Sequence, residues 1–191
     1  MKSYLLILFF GITIFMIDCQ SENMEPQVQS VEDLGTRGEY LVTILGCNDC
    51  HTPKLMTDRG PVPDQTRLLA GYPSGQNLPP VNDHLILKDY ALFSQDLTAT
   101  IGPWGTSFAA NLTPDPTGLG NWTFANFERV FREGKFKGLE NGRPILPPMP
   151  WQNLQKITPE DLNAIWTYLR SIPPVKNTVP VNIAPQSQNA E

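Results

Sequence analysis

Few residues in this sequence can do chemistry at a cofactor: there are three cysteines and two histidines. Three of those five stand together in Cys47-Asn48-Asp49-Cys50-His51. Thiols at i and i+3 share one face of a helical turn, and a histidine follows at once. A C-x-x-C-H run is the signature of c-type haem attachment. The two thiols reach the two vinyl groups as thioethers, and His51 sits under the iron as an axial ligand. Three other readings compete. A thioredoxin-like C-x-x-C wants a preceding strand in an α/β pattern, which a chain with 19 prolines does not offer. Zinc needs four ligands; Cys47, Cys50, His51 and His84 would supply them, but adjacent Cys50 and His51 fit poorly on one tetrahedral ion. A Cys47–Cys50 disulfide leaves His51 unexplained.

A haem iron held by one histidine has a second axial position to fill, and the candidates are Met149, His84 and Met56. Met149 lies in Pro144-Ile145-Leu146-Pro147-Pro148-Met149-Pro150-Trp151. Its prolines hold the segment extended and stiff, so a thioether there has little ordering entropy left to lose. Met56 follows His51 too closely to reach the opposite haem face. His84, in Val81-Asn82-Asp83-His84, reads as a loop histidine. Met149 is therefore the expected second ligand, with His84 or an open position as the alternatives. Histidine with methionine fills both axial positions and raises the reduction potential, which suits electron transfer better than oxygen or peroxide chemistry.

Three helices are expected to position these residues. Ser30-Val31-Glu32-Asp33 reads as a capping box opening a helix with the stripe Leu34, Gly38, Leu41, Leu45 that runs into Cys47. Gly38 costs about 1 kcal/mol of helix propensity, and close approach of another helix is the expected compensation, with a solvent-facing glycine as the alternative. Thr158-Pro159-Glu160-Asp161 starts a second helix, whose stripe is Leu162, Ile165, Trp166, Leu169 and whose end is Pro173-Pro174. A third starts near Thr123, with Phe124, Phe127, Val130 and Phe131 apolar and Gly134 as its stop.

The amino terminus places a lysine before the apolar run Tyr4 to Ile17, short of the about 20 residues that span a bilayer. It fits the apolar region of an export signal. Cys19 stands where bacterial lipoproteins carry their lipidated cysteine, although Asp18 replaces the usual small residue before it. Lipidation of Cys19 is the expectation; soluble export and an uncleaved anchor are the alternatives. Each puts the folded part outside the cytoplasm, on the periplasmic side, where thiol chemistry of this kind belongs. The reading divides the chain into a signal peptide at 1–18, a tether at 19–29, a haem domain at 30–175 and a disordered tail at 176–191.

Composition narrows the functional classes. The chain has 191 residues, enough for one core without disulfide staples, and a net charge of −5 with no basic run, which excludes a nucleic-acid partner. Its 19 prolines and 14 glycines imply much loop.

The residues resemble class I c-type cytochromes, and more closely one haem module of the cytochrome c subunits of membrane-bound alcohol and gluconate dehydrogenases. The stretches that carry the resemblance are Arg37-Gly38-Glu39-Tyr40-Leu41, Gly46 to Thr52, Asn111-Leu112-Thr113-Pro114-Asp115, Thr117 to Trp122, Pro148-Met149-Pro150-Trp151, and the closing helix from Glu160 to Leu169 with Pro173-Pro174-Val175. The resemblance implies a mostly α class I fold whose first and last helices cross near the haem, with Gly38 facing Leu162, Ile165, Trp166 or Leu169. It also implies Cys47 and Cys50 as thioether sites, and His51 and Met149 as iron ligands. Those subunits carry three haem modules; this chain has a single C-x-x-C-H. Residues 61–90 read as an irregular insertion, with room for a small β-hairpin around Phe93 to Leu112.

Arg143, Trp104 and Trp151 are candidate donors to haem propionates, against a reading as surface charge and packing. A carbonyl from Asn111-Leu112-Thr113-Pro114 is a candidate partner for the other ring nitrogen of His51. Asn111-Leu112-Thr113 and Asn121-Trp122-Thr123 match glycosylation acceptors and read as turns. The expected function is a carrier with one covalent haem c, taking electrons from a dehydrogenase or quinol-oxidising complex and passing them to another cytochrome or an oxidase, tethered to the membrane by lipid. An electron-transfer subunit of a dehydrogenase complex is the second reading, and an open-iron haem enzyme or sensor the third.

Overall fold

The structure, a computed structural model, describes residues 30–81 and 84–185, without the side chains of His84 and Leu85. The signal segment, Cys19, the tether and residues 186–191 lie outside the described residues.

Among the described residues five α-helices dominate, with two small antiparallel sheets. Helix α1, Val31–Ile44, begins at the anticipated capping box: Ser30 Oγ accepts from the Asp33 amide, and Asp33 accepts from the Ser30 amide. Its buried residues are Gly38, Leu41 and Val42. The expected stripe runs one step too far, because the helix ends at Ile44 and Leu45 caps it half in solvent. The face that packs is Leu34, Gly38, Leu41 and Val42, the i, i+4, i+7, i+8 spacing of a wider apolar stripe.

Helix α5, Pro159–Ser171, starts behind Thr158, whose Oγ1 accepts from the Asp161 amide, with proline in the first turn. It buries Leu162, Ala164, Ile165 and Leu169. Gly38 is the point where α1 meets it. A Cβ on Gly38 would lie 2.0 Å from the Ala164 carbonyl oxygen and 2.7 Å from Tyr168 Cβ. The close approach expected for Gly38 is real, but its partners are Ala164 and Tyr168, not the apolar stripe, because the backbones themselves touch. At the edge of this contact Arg37 donates to both Asp161 oxygens at 2.9 and 3.2 Å. It is an exposed pair of small worth.

Helix α3, Phe124–Glu133, has a second capping box between Thr123 and Asn126 and ends on Gly134 in the left-handed conformation. It buries Phe127, Val130 and Phe131, and the Phe127 ring lies 5.1 Å from that of Trp166. These side chains join those of α1 and α5 in one core.

Two short helices carry the motif segments: α2, Cys47–His51, and α4, Trp151–Leu154. Strands β1 (Lys54–Thr57) and β2 (Gly60–Pro63) form a hairpin directly after α2. It was not expected, since Pro61 and Pro63 argue against a strand. They are tolerated because a two-stranded ribbon is all edge. The other described residues of 61–90 are irregular apart from 3-10 turns at Gln65–Arg67 and His84–Lys88. The anticipated hairpin is a three-stranded sheet of β3 (Leu92–Phe93), β4 (Ala99–Gly102) and β5 (Gly105–Phe108), in the order β3-β4-β5.

Of the expected disordered tail at 176–191 the structure describes residues 176–185, and several of these are tied to the rest of the chain. Asn177 is buried. Its Oδ1 accepts from the Ser74 amide at 2.7 Å, and its Nδ2 donates to the Ala70 and Tyr72 carbonyls at 2.6 and 2.9 Å. Ile183 exchanges backbone hydrogen bonds with Thr106 at 2.8 and 3.0 Å. A polar stretch poor in apolar residues is held here by hydrogen bonds to the insertion, a gain that hydrophobic patterning does not register. No helix of the described residues is long and apolar enough to cross a membrane.

Candidate functional site

Gly46 creates the turn from α1 into α2. It sits at φ 70°, where a side chain would be strained, and a Cβ there would press on the Asp49 carboxylate at 2.9 Å. Cys47, Asn48, Asp49, Cys50 and His51 then form one short helix, and both cysteines are free thiols. Cys47 packs against the hydrophobic core. Burial pushes its thiol up to about 11 and moves Cys50 in the same direction. A disulfide-exchange motif needs the opposite, a depressed thiol pKa. Lys54 closes the far end of α2 by donating to the carbonyls of Asn48, Asp49 and Thr52. A cation belongs at that negative pole, and sequence reading missed it.

The imidazole of His51 is fixed from outside the motif. Its Nδ1 lies 2.7 Å from the Ala110 carbonyl oxygen, so Nδ1 carries the proton and Nε2 keeps a free lone pair. Burial holds the ring's pKa below the ordinary histidine value, so it is neutral and able to ligate. The carbonyl comes from Ala110, one residue before the stretch Asn111 to Pro114 expected to supply it. Asn111 turns instead toward Thr113, Thr117 and the Val175 carbonyl.

Gly71 brings that carbonyl within reach. Its amide donates to the His51 carbonyl at 2.7 Å. A Cβ on it would stand 2.5 Å from Ala109 O and 2.6 Å from Ala110 O, and its φ of 77° already excludes an easy side chain. Backbone bonds from Tyr72 to Ala109 and from Leu112 to Leu69 hold the two segments together, and Thr52 Oγ1 accepts from the Leu69 amide. The signal available in the sequence was a lone glycine inside the apolar run Leu68 to Tyr72.

Met149 is half-buried and packs on the same core as Cys47. Its loop is clamped to the end of α3. The Ile145 amide donates to Gly134 O at 2.7 Å, and the Phe136 amide to Arg143 O at 2.8 Å. Trp151 lies over Gly134 so closely that a Cβ there would be 2.4 Å from its ring. Arg132 donates to the carbonyls of Gln155 and Ile157, and Gln155 returns a bond to Arg132 O.

Met56 sits on the exposed β1 strand, and the side chain of His84 lies outside the described residues. Trp151 is used in packing against Gly134. Arg143 stacks 3.8 Å above the Phe136 ring and donates to Pro144 O. Trp104 Nε1 is different: among the described residues it is a buried side-chain donor with no acceptor. A buried indole N–H without a partner is costly, so it marks a place where an acceptor belongs.

No protein-family model matches the chain. Curated relatives do. A nicotinate dehydrogenase subunit of Pseudomonas putida is 42% identical over 81 residues, 42% of this chain and 7% of that one. The cytochrome c subunit of a quinone-dependent alcohol dehydrogenase of Gluconacetobacter polyoxogenes is 39% identical over 75 residues, covering 38% of this chain and 15% of its own. The gluconate 2-dehydrogenase cytochrome c subunit of Pantoea cypripedii is 28% identical over 149 residues, which is 77% of this chain and 25% of that subunit. The matches thus span no more than a quarter of each of these relatives. The chain is a cytochrome c related to the cytochrome c subunits of alcohol and gluconate dehydrogenases.

Proposed function

We propose that the chain carries one covalently bound haem c in a class I cytochrome fold and works as a one-electron carrier on the periplasmic side of the membrane. The observation that carries this reading is the state of the C-x-x-C-H turn: two free thiols on one helical turn, followed by a neutral imidazole whose Nδ1 is committed to Ala110 and whose Nε2 is available. A haem bound there would supply a ferric–ferrous couple.

The donor set fits such a group. Cys47 and Cys50 would form the two thioethers, His51 and Met149 would be the axial ligands, and the unpartnered Trp104 N–H would meet a propionate. Ala110 orients His51 and strengthens it as a donor to iron. Residues of α1, α3 and α5 form the core against which Cys47 and Met149 pack, and would exclude water from one side of the group. With His51 and Met149 holding the iron, no position would be left for a substrate, and the haem edge would be the working surface. Redox partners on this reading are a dehydrogenase or quinol-oxidising complex on one side and another cytochrome or an oxidase on the other, met through small transient contacts. Cys19 would carry the lipid that keeps the domain at the membrane.

The relatives' names favour a second reading, a fixed electron-transfer subunit of a dehydrogenase complex. The deciding experiment is the absorption spectrum of the exported protein, oxidised and reduced, together with its behaviour under denaturation. Haem that stays attached and shows methionine ligation supports the carrier; absence of covalent haem, or tight carbon monoxide binding by the native reduced protein, overturns it. Stoichiometric co-purification with a dehydrogenase selects the second reading.

A further inference from the structure

We propose that Ser107 is a positioning residue for the Met149 loop, and that the short segment Ser107 to Ala110 braces the two axial ligands against each other. The inference rests on His51 and Met149 being those ligands. It gives the long insertion between them a task.

Between Ile145 and Trp151, which are clamped to α3, the loop has few donors of its own. Pro147, Pro148 and Pro150 have no amide hydrogen, so the loop must be held through its carbonyls. The Ser107 hydroxyl, buried in β5, donates to the Pro147 carbonyl at 2.7 Å, with the Thr100 carbonyl a more distant alternative at 3.4 Å. Met149 O and Pro150 O accept from amides of the adjoining helix α4; among the described residues the Ser107 bond is the one hydrogen bond that ties residues 146–150 to a part of the chain distant in sequence. Three positions along the same segment, Ala110 accepts from His51.

The segment itself is firmly seated. β5 pairs with β4, the Ala109 amide donates to Thr98 O, Ala109 O accepts from Tyr72, and Thr106 pairs with Ile183. One short extended piece therefore touches the imidazole at one end and the thioether loop at the other. The spacing of the ligands is set by this brace, not by the long chain that joins them. Losing the Ser107 bond frees Pro147 and lets Met149 leave the iron more often, while His51 and the thioethers stay in place.

The test is imidazole binding to the full-length, haem-loaded ferric protein, read with the far-red absorption that reports methionine on ferric iron. Ser107→Ala is expected to keep covalent haem, weaken that absorption and raise imidazole affinity on the order of five- to tenfold, the worth of one hydrogen bond. Ser107→Thr, which keeps the hydroxyl, is expected to behave as the parent. If the alanine variant does not accumulate, Ser107→Cys, a near-isostere with a weak donor, reads the same quantity. A parent protein without the methionine signature sinks the ligand reading itself. A parent with the signature, and a Ser107→Ala variant that binds imidazole no better, overturns the brace and leaves the ligands standing. A threonine variant as open as the alanine variant also overturns it, because packing and not the hydroxyl would then be the cause.

Discussion

His51 Nδ1 and the Ala110 carbonyl oxygen stand 2.7 Å apart, joined across the whole insertion that separates them in the chain. The bond makes the imidazole richer in electrons and so favours ferric iron. Gly71 is what lets the carbonyl lie there, since any Cβ on it would collide with Ala109 O and Ala110 O. Gly71→Ala is therefore expected to displace the carbonyl, weaken the bond and raise the reduction potential. A loss of about 1 kcal/mol in the ferric state corresponds to roughly 40 mV for a one-electron couple. Redox titration of the variant against the parent checks this; an unchanged or lower potential removes Gly71 from the ligand's support.

The α1–α5 contact gives a paired stability prediction from two glycines on one helix. Gly38→Ala places a methyl 2.0 Å from Ala164 O, so the helices must part. The cost is expected at about 3 kcal/mol, the upper range for overpacking a tight site. Gly35 has nothing within 4 Å of an added Cβ. Gly35→Ala should therefore gain about 0.5–1 kcal/mol from helix propensity alone. Denaturant melts of the holoprotein measure both. A Gly38 variant as stable as the parent would contradict the backbone contact.

Asn177 carries the third prediction. Its side chain accepts one hydrogen bond and donates two, all to residues 70–74. Asn177→Ala strands buried polar groups and is expected to cost about 2–4 kcal/mol. Hydrogen exchange should quicken at Ser74, whose amide loses its acceptor, more than in α3. Uniform exchange across the domain would mean that the segment after α5 is not a separate tie.

These residues also show where sequence reading succeeds and where it stops. The capping box at Ser30, the helix start near Thr123, the Pro159 start and the Gly134 stop are local, so they are written in consecutive residues. The C-x-x-C-H turn is local for the same reason. Ala110, Gly71 and Ser107 are not legible that way. Each acts through a backbone carbonyl, a missing Cβ or a single hydroxyl brought close only by tertiary pairing. The β1–β2 hairpin was hidden by Pro61 and Pro63, whose usual meaning depends on whether a strand has neighbours. Asn177 was hidden because hydrogen bonding, not apolar patterning, docks it.

Met149→Ala tests the distal ligand. The side chain is half-buried at the end of a stiff segment and packs on the common core, so its removal leaves attachment untouched. The variant is expected to keep covalent haem, lose the far-red methionine absorption and bind carbon monoxide when reduced, with a lower potential than the parent. Retention of the parent's ligation would return the assignment to His84 or another residue.

Cys50→Ser separates the two thiols. Both are free, lie on one turn and are held as neutral thiols by burial. That state suits slow, guided addition to a vinyl group better than spontaneous disulfide exchange. The serine variant is expected to hold its haem through Cys47 alone. The reduced absorption bands should shift toward those of a haem with one intact vinyl, and protein yield should fall because attachment is part of folding. His51 would still ligate, since its hold on Ala110 does not pass through Cys50. A pyridine haemochrome spectrum reads the number of thioethers directly. Two thioethers in the variant would mean that another cysteine had served, and would refute the assignment of Cys50.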